Sequence, residues 1–279
     1  MKGLLHFILS HSIFIAFCTA ALSLQTLQLL SLTVNNYLLA FIFFAAVSGY
    51  NAYWMISRFT FNPPPSFLYF LQKNRRSFIV VLLAVTGMFF CISNLRLVWY
   101  NIIIAIVLLG LYAIPVMPFK QLHFTRRAGF VKTILLAFTW AIVTTLIPLQ
   151  VSILEMEHAA LLIFINRFLF MLMLCVIFDK RDVQVDKIRG LQSLATIVKP
   201  RVLNYLMGFI FIGYALVSYS MKWYELTMAQ VAALIVTGLI TITVYAASFK
   251  KRGYLFYYFL VDGLMFLSAL LTGLAGVVR

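Results

Sequence analysis

The stretch FDKRDVQVDKIRG, residues 178–190, is a polar segment in an otherwise very apolar chain. It holds three of the seven acidic residues of the chain, namely Asp179, Asp182 and Asp186. The spacing i, i+3, i+7 places the three carboxylates along one face of a helix. Because like charges on one face repel each other, this pattern favours a bound cation beside them.

The composition outside this segment is that of an integral membrane protein. Of the 279 residues, 64% are hydrophobic and only 10% are charged, which is more apolar surface than a soluble domain can bury. The length predicts a single membrane domain over residues 1–279. The excess of 22 Lys and Arg over 7 Asp and Glu is explained by membrane topology, so we expect a lipid bilayer and no nucleic acid as the partner.

Hydrophobic runs long enough to cross a bilayer predict the fold class, an all-α bundle of about nine transmembrane helices. The predicted spans are residues 4–24, 34–57, 78–94, 97–117, 131–149, 158–178, 203–220, 228–248 and 254–277.

The distribution of Lys and Arg between the predicted loops gives an orientation. One side carries 18 of them and the other carries 3, while Arg167 lies within a span. The positive-inside rule therefore predicts a cytoplasmic N-terminus and an external C-terminus. The membrane itself is expected to be the inner membrane of a bacterium. The long polar loops, and with them the functional residues, are expected on the cytoplasmic side.

Cysteine and histidine give no sign of a metal site or a disulfide framework. Cys18, Cys91 and Cys175 all lie within apolar runs, without metal-ligand spacing, and are predicted to be core residues. No pair of histidines has the His-x-x-x-His spacing of a zinc site.

Carboxylates beside basic residues suggest a magnesium–diphosphate site. Mg²⁺ typically binds one or two carboxylates together with substrate phosphates, and the basic residues of the segment could bind phosphate oxygens. The alternative interpretation of residues 178–190 is a solvated loop of mixed charge that follows a membrane helix.

The segment also resembles the second aspartate motif of the UbiA superfamily of membrane prenyltransferases. That motif reads Asp-x-x-Asp-x-x-x-Asp followed by a basic residue and Gly, which here are Lys187 and Gly190. Residues 111–148 are similar to the segment that follows the fourth helix of that family, and VDGLMFLSALL, residues 261–271, resembles its last helix. The residues that carry the second similarity are Tyr112, Pro115, Lys120, Gly129, Lys132 and Trp140.

The first aspartate motif of the family is degenerate in this chain. The motif is Asn-x-x-x-Asp-x-x-x-Asp, and the corresponding stretch is GYNAYWMISRF, residues 49–59. Asn51 matches, but Met55 and Phe59 stand where the aspartates would be, and residues 1–154 contain no acid at all. Arg58 lies seven residues after Asn51 and could supply a fixed positive charge in place of a metal, although it could equally be an interface anchor.

The resemblance implies transfer of a prenyl group from a prenyl diphosphate to a lipophilic acceptor, which could be aromatic or a quinone precursor. Asp182 and Asp186 would bind Mg²⁺, and Asp179 would be an outer ligand or a proton acceptor. Six side chains are implied to contact the diphosphate: Asn51, Arg58, Lys120, Arg126, Arg127 and Lys187.

Two other functions stay open from the sequence. The degenerate first motif suggests a catalytically silent relative that binds an isoprenoid or a partner without turnover, so the residues leave it undecided whether the protein is an enzyme. Transport is the third class, but acidic residues at the rim of nine spans fit the midplane sites of transporters poorly.

Two charges are predicted within the membrane, Arg167 in the sixth span and Asp262 in the ninth. Intramembrane charges usually face the interior of the bundle and have a partner. The sequence therefore predicts that the two pair, or that they share a polar network with Asn166. The alternative is that Arg167 bonds to backbone carbonyls and that Asp262 is protonated.

Overall fold

The computed structural model describes residues 2–61, 63–95, 98–113, 129–151, 156–189, 192–224 and 226–277, and this part of the chain contains helices and no strand. Two stretches are π-helical, Ile142–Leu146 before α8 and Phe256–Val261 before α13. The α-helices are α1 (Lys2–Ser10), α2 (Ile13–Leu29), α3 (Asn36–Phe61), α4 (Phe67–Lys73), α5 (Arg75–Ile92), α6 (Trp99–Ala113), α7 (Gly129–Ala141), α8 (Ile147–Leu149), α9 (His158–Arg189), α10 (Leu194–Ile197), α11 (Pro200–Ser220), α12 (Met228–Ala247) and α13 (Asp262–Val277).

The all-α membrane architecture predicted from the sequence is confirmed. Among the described residues, 7 helices are long and apolar enough to cross a membrane, or up to 8 if the bent pair at the N-terminus forms one span. The helix Trp99–Ala113, where the fourth span is predicted, has 15 residues. The count of nine spans stays a prediction.

The first predicted span, residues 4–24, differs from the helices found there. Gly3–Ser10 and Ile13–Leu29 meet at an angle of 63°. Ser12 between them has φ 59° and ψ 19°, a left-handed conformation that a continuing helix cannot contain. Hydrophobicity alone does not report such a break, because the residues on both sides of it are equally apolar.

The helices pack around α2 and α9. α2 packs against α3 and α13, while α9 packs against α7 and α11. The largest buried cluster joins these helices through side chains such as Leu22, Met173 and Met265, each at most 1% exposed. Cys18, Cys91 and Cys175 are all buried and free, which confirms their prediction as core residues.

A proline explains the irregular helix that follows α7. Pro148 has no backbone N–H, so the carbonyl of Thr144, four residues earlier, cannot receive its helical hydrogen bond from that position. The hydroxyl of Thr26 on α2 donates to this carbonyl at 2.7 Å. The π-helical turn Ile142–Leu146 is thus tied directly to the centre of the bundle.

The predicted pairing of Arg167 with Asp262 is wrong. The Arg167 guanidinium donates instead to the carbonyl of Leu22 at 3.2 Å and to the hydroxyl of Thr26 at 3.3 Å. Asn166, the predicted third member, donates to the hydroxyl of Ser218 at 2.7 Å. Helix α2 offers a carbonyl and a hydroxyl close to Arg167, and these satisfy part of the guanidinium without an acid.

A double-mutant cycle should find no coupling between the two charges. We expect the effects of Arg167→Met and Asp262→Asn on the free energy of unfolding to add within about 0.5 kcal/mol, as for independent sites. The measurement is thermal or denaturant unfolding in detergent for the wild type, both single variants and the double variant. A coupling energy above about 1 kcal/mol would restore the pair.

Gly238 of α12 packs directly against side chains of α11. A Cβ atom there would lie 2.7 Å from the Tyr214 ring, and this ring is 1% exposed. We expect Gly238→Ala to destabilise the protein by about 1–3 kcal/mol, because the buried ring has to move. Gly208→Ala is the matched control on α11, where a Cβ would meet nothing within 4 Å. Equal unfolding midpoints for the two variants in detergent would contradict this account.

Candidate active site

A cavity of about 800 Å³ opens inside the bundle, and the acidic segment lies at one end of it. We call this end the motif end. Its lining includes Asp179, Asp182 and Asp186, so the structure brings together the three carboxylates that the sequence singles out. The rest of the cavity is lined mainly by apolar and aromatic side chains, among them Phe41, Ile42, Met88, Ile102, Leu136, Trp140, Val143 and Leu174.

Asp179 connects three elements at the motif end. Its Oδ2 atom accepts a hydrogen bond from the hydroxyl of Thr133 on α7 at 2.6 Å. The same atom accepts one from the backbone N–H of Leu194, the first residue of α10, at 3.2 Å. These two bonds hold one oxygen of the carboxylate in place between α7, α9 and α10.

Asp182 forms an ion pair with its neighbour Arg181. The Nε and Nη2 atoms of Arg181 lie 2.6 Å and 2.7 Å from the two carboxylate oxygens. The guanidinium is also close to three rings, those of Phe178 at 4.8 Å, Tyr258 at 4.9 Å and Tyr257 at 5.3 Å from their centroids. A bidentate ion pair and cation–π contacts both fix its orientation.

Asp186 is buried at the same end, at 6% exposure. Lys132 on α7 lines the cavity together with it, and the Lys132 ammonium lies 5.4 Å from the centroid of the Tyr112 ring. Tyr112 in turn packs against Tyr53 of α3, with 5.3 Å between the ring centroids. The Lys132 ammonium thus lines the cavity together with the carboxylates and lies over the ring of Tyr112, which itself packs against Tyr53.

The segment between α12 and α13 contributes a third basic residue and a phenol to the motif end. Arg252, Gly253 and Tyr254 all line the cavity. Arg252 donates from Nε to the carbonyl of Ala247 at 2.8 Å, which anchors it to the end of α12. Partial burial raises the pKa of the Tyr254 phenol above its usual value, so this hydroxyl stays protonated. Tyr254 is therefore a neutral hydrogen-bond donor at the cavity.

Two residues predicted to bind diphosphate, Asn51 and Arg58, are not part of the cavity lining. The Asn51 amide donates at 2.8 Å to the carbonyl of His11, which the break between α1 and α2 leaves without a helical partner. Arg58 donates at 3.0 Å to the side chain of Asn74. Both side chains are engaged in holding α3 against its neighbours, and their role in diphosphate binding stays a prediction.

The other predicted diphosphate contacts divide into two groups. Lys187 is exposed at the end of α9 and is not part of the lining. Lys120, Arg126 and Arg127 lie outside the described residues. The role of these four basic side chains in diphosphate binding stays a prediction.

The two positions that replace the aspartates of the first motif are apolar in structure as well as in sequence. Phe59 packs against Phe70 of α4, with 5.5 Å between the ring centroids. Met55 lies one turn earlier on α3, and neither side chain lines the cavity. The end of α3 therefore presents no carboxylate to the motif end.

The charges that line the cavity nearly cancel. Three are basic, Lys132, Arg181 and Arg252, and four are carboxyl groups, the acidic three of α9 and Asp262. In the described part of the chain, no group of three or more histidine, cysteine, aspartate or glutamate side chains could hold a metal ion by itself. Asp182 and Asp186 both line the cavity, and two carboxylates with substrate phosphates are a sufficient set for Mg²⁺. The side chains fit such a shared site, in which the metal would compete with Arg181 for Asp182.

Reasoning from the sequence missed several residues that line the cavity. Asp262 stands out in the sequence as an intramembrane charge. Its predicted partner was Arg167, which does not line the cavity, so the sequence did not assign Asp262 to the site. Arg181 lies within the acidic motif, and the sequence predicted for it only the general ability of a basic residue to bind phosphate. Tyr257 and Tyr258 carry no signal of their own, because the chain contains 14 tyrosines.

The chain matches no protein-family model and no curated protein. Solved structures do resemble it along nearly its whole length. One is the apo structure of a UbiA homolog from Aeropyrum pernix K1, with 15% identity, a TM-score of 0.61, and coverage of 97% of this chain and 98% of the other. Another is of a digeranylgeranylglyceryl phosphate synthase, with 13% identity, a TM-score of 0.57 and full coverage of both chains. Sequence identity this low shows the fold alone, and that fold agrees with the one predicted from the acidic motif.

Proposed function

We propose that this chain, an integral membrane protein with a UbiA-type prenyltransferase fold, transfers a prenyl group from a prenyl diphosphate to a lipophilic acceptor. The observation that carries the proposal is the cavity, which is lined mostly by apolar and aromatic side chains and also by the carboxylates of the acidic motif and the basic residues beside them. A prenyl diphosphate has the same division, with a hydrocarbon chain and an anionic head. From the distribution of Lys and Arg, we place the motif end on the cytoplasmic side.

The residues that line the cavity suggest which of them would bind each part of the substrate. Apolar side chains would bind the prenyl chain and exclude water from the reacting carbon. Lys132, Arg181 and Arg252 would face the diphosphate. Mg²⁺, held by Asp182 and Asp186 together with the substrate, would neutralise the leaving diphosphate. A cation is needed here because the charges of the lining nearly cancel, so the side chains alone do not compensate a diphosphate.

The test is an assay of the purified protein in lipid nanodiscs. Labelled prenyl diphosphates of several chain lengths are added with Mg²⁺ or with EDTA, and binding, diphosphate release and labelled lipid products are measured. The proposal expects binding and a labelled lipid in Mg²⁺, and loss of both in EDTA. Failure of every chain length to bind in Mg²⁺ would overturn it.

A second function, binding without turnover, is favoured by the apolar end of α3. Met55 and Phe59 offer no ligand where the UbiA motif has aspartates, so the site has one acidic rim and no second one. A prenyl diphosphate that binds in Mg²⁺ but releases no diphosphate with any acceptor would establish this function instead.

A further inference from the structure

A short helix, α4, joins two membrane-spanning helices at one end of the bundle. α3 and α5 pack against each other and are both long and apolar enough to cross a membrane, and α4 lies between them in the chain. The guanidinium of Arg58, in the last turn of α3, donates to the side chain of Asn74, directly before α5, at 3.0 Å. The end of α3 and the start of α5 are therefore neighbours, and α4 lies at the membrane surface where both helices emerge.

The side chains of α4 point in different directions. Phe70 is 7% exposed and packs against Phe59 of α3, with 5.5 Å between the ring centroids. At 3.6 residues per turn, Phe67, Leu68 and Leu71 lie within an arc of about 100° on another side of the helix. Phe67 is 65% exposed and Leu68 is 70% exposed. A helix that is anchored to the protein on one side and presents an apolar arc on another fits the interface of a membrane.

Four exposed basic side chains lie next to this helix, and we call them the basic cluster: Arg58, Lys73, Arg75 and Arg76. Lys73 is the last residue of α4, and the two arginines that follow Asn74 begin α5. Residues 1–154 contain no acid. In the described part of the chain, the basic cluster forms no ion pair with any carboxylate. Its positive charge is therefore not compensated by these parts of the protein.

The basic cluster is separate from the cavity. Among the described residues that line the cavity, none belongs to α4 or to the basic cluster, and the last residue of α3 in the lining is Ser57. A soluble anion would account for the charges but not for the exposed Phe67 and Leu68. A neutral lipid would account for the apolar arc but not for the charges. A phospholipid with an anionic headgroup accounts for both features.

We propose that α4 and the basic cluster form a binding site for anionic phospholipids of the surrounding membrane. The apolar arc lies among the acyl chains, and Lys73, Arg75 and Arg76 bind the phosphate of the headgroup. Clusters of basic residues beside a membrane helix attract anionic lipids in this way. The site is independent of the proposed prenyl transfer, because it shares no residue with the cavity lining.

Lipid binding by the whole protein tests the site. The purified protein in detergent is titrated with dioleoylphosphatidylglycerol or with dioleoylphosphatidylcholine, and the bound lipids are counted by native mass spectrometry. We expect the wild type to bind the anionic lipid at least about 10-fold more tightly than the neutral one. The triple variant Lys73→Gln, Arg75→Gln, Arg76→Gln should lose this preference, since each basic residue beside an anionic surface contributes about 5-fold.

A second triple variant controls for the loss of charge. Lys199→Gln, Lys250→Gln and Lys251→Gln remove the same number of exposed positive charges from other connections between helices. This variant should keep the preference for the anionic lipid within about 3-fold of the wild type, because its charges lie outside the site. Equal losses in the two triple variants would show that net charge governs lipid binding, and the site would be overturned.

The position of α4 in the interface is tested separately with the basic cluster intact. The variants Phe67→Cys and Tyr69→Cys place a fluorophore on nearly opposite sides of α4. Labelling is selective because Cys18, Cys91 and Cys175 are buried. In nanodiscs, brominated phospholipid should quench the label at position 67, and iodide in the water should quench the label at position 69. Quenching of both labels by iodide alone would remove α4 from the interface and overturn the proposal.

Two further results would contradict the site. One is equal affinity of the wild type for the two lipids, and the other is an undiminished preference in the first triple variant, which would place the anionic lipid elsewhere. Prenyl diphosphate binding should be the same in the first triple variant and the wild type. Its loss in that variant alone would assign the basic cluster to the cavity instead of to the membrane surface. Circular dichroism confirms that each variant is folded.

Discussion

Replacement of either Asp182 or Asp186 by alanine is expected to reduce prenyl transfer at least about 100-fold, the loss typical of a missing electrostatic contact in a reacting site. Both carboxylates line the motif end of the cavity, and we assign them the metal ion that neutralises the diphosphate. The alanine variants should also bind prenyl diphosphate more weakly in Mg²⁺ and become insensitive to EDTA. Diphosphate release and ligand binding in nanodiscs measure the two effects.

A matched acidic control comes from the opposite end of the same helix. Glu157 is exposed and directly precedes α9, far along the helix from the motif end. Glu157→Gln removes one negative charge and should leave transfer within about 2-fold of the wild type, as for a surface charge outside the site. Full turnover of Asp182→Ala or Asp186→Ala in EDTA would refute the metal assignment while leaving the cavity as a binding site.

The second large effect is expected at Lys132. Its ammonium lines the cavity with Asp186 and lies over the Tyr112 ring. Removal of a cation that faces the diphosphate should weaken binding about 30- to 100-fold, equivalent to about 2–3 kcal/mol for a charged hydrogen bond. We therefore expect Lys132→Met to raise the Kd for prenyl diphosphate by that factor.

Lys180→Met is the control for that loss of charge. Lys180 lies within the acidic motif, but its ammonium lies 3.0 Å from the centroid of the Phe249 ring and the residue is not part of the cavity lining. Its replacement should change the Kd less than about 3-fold, because it acts only from outside the cavity. Equal losses in the two variants would mean that the net charge of the protein, and not the position of Lys132, governs binding.

The sequence was a good guide where one physical signal dominated. Apolar runs predicted the membrane helices, and the i, i+3, i+7 spacing predicted that Asp179, Asp182 and Asp186 would share a face. All three line one cavity because α9 is a continuous helix, in which residues at this spacing lie on the same face.

The sequence was a poor guide where the outcome depended on neighbours from other helices. Arg167 bonds to α2 rather than to Asp262, and Asn51 holds a carbonyl at the break between α1 and α2. In both cases the hydrogen-bond partner lies far away in the sequence, so the residues around Arg167 and Asn51 do not predict it. The left-handed conformation of Ser12, which creates the break, follows from no strong local preference either.

The π-helical turn Phe256–Val261 makes the length of the chain in this region a determinant of the site. Each residue of an α-helix turns the chain by about 100°, and a π-helical turn accommodates one residue more than an α-helical turn does. Deletion of one residue from this turn would restore regular winding and rotate Tyr257 and Tyr258 relative to Asp262. An insertion or deletion here would thus separate residues that now line one wall, even though no side chain of that wall had been altered.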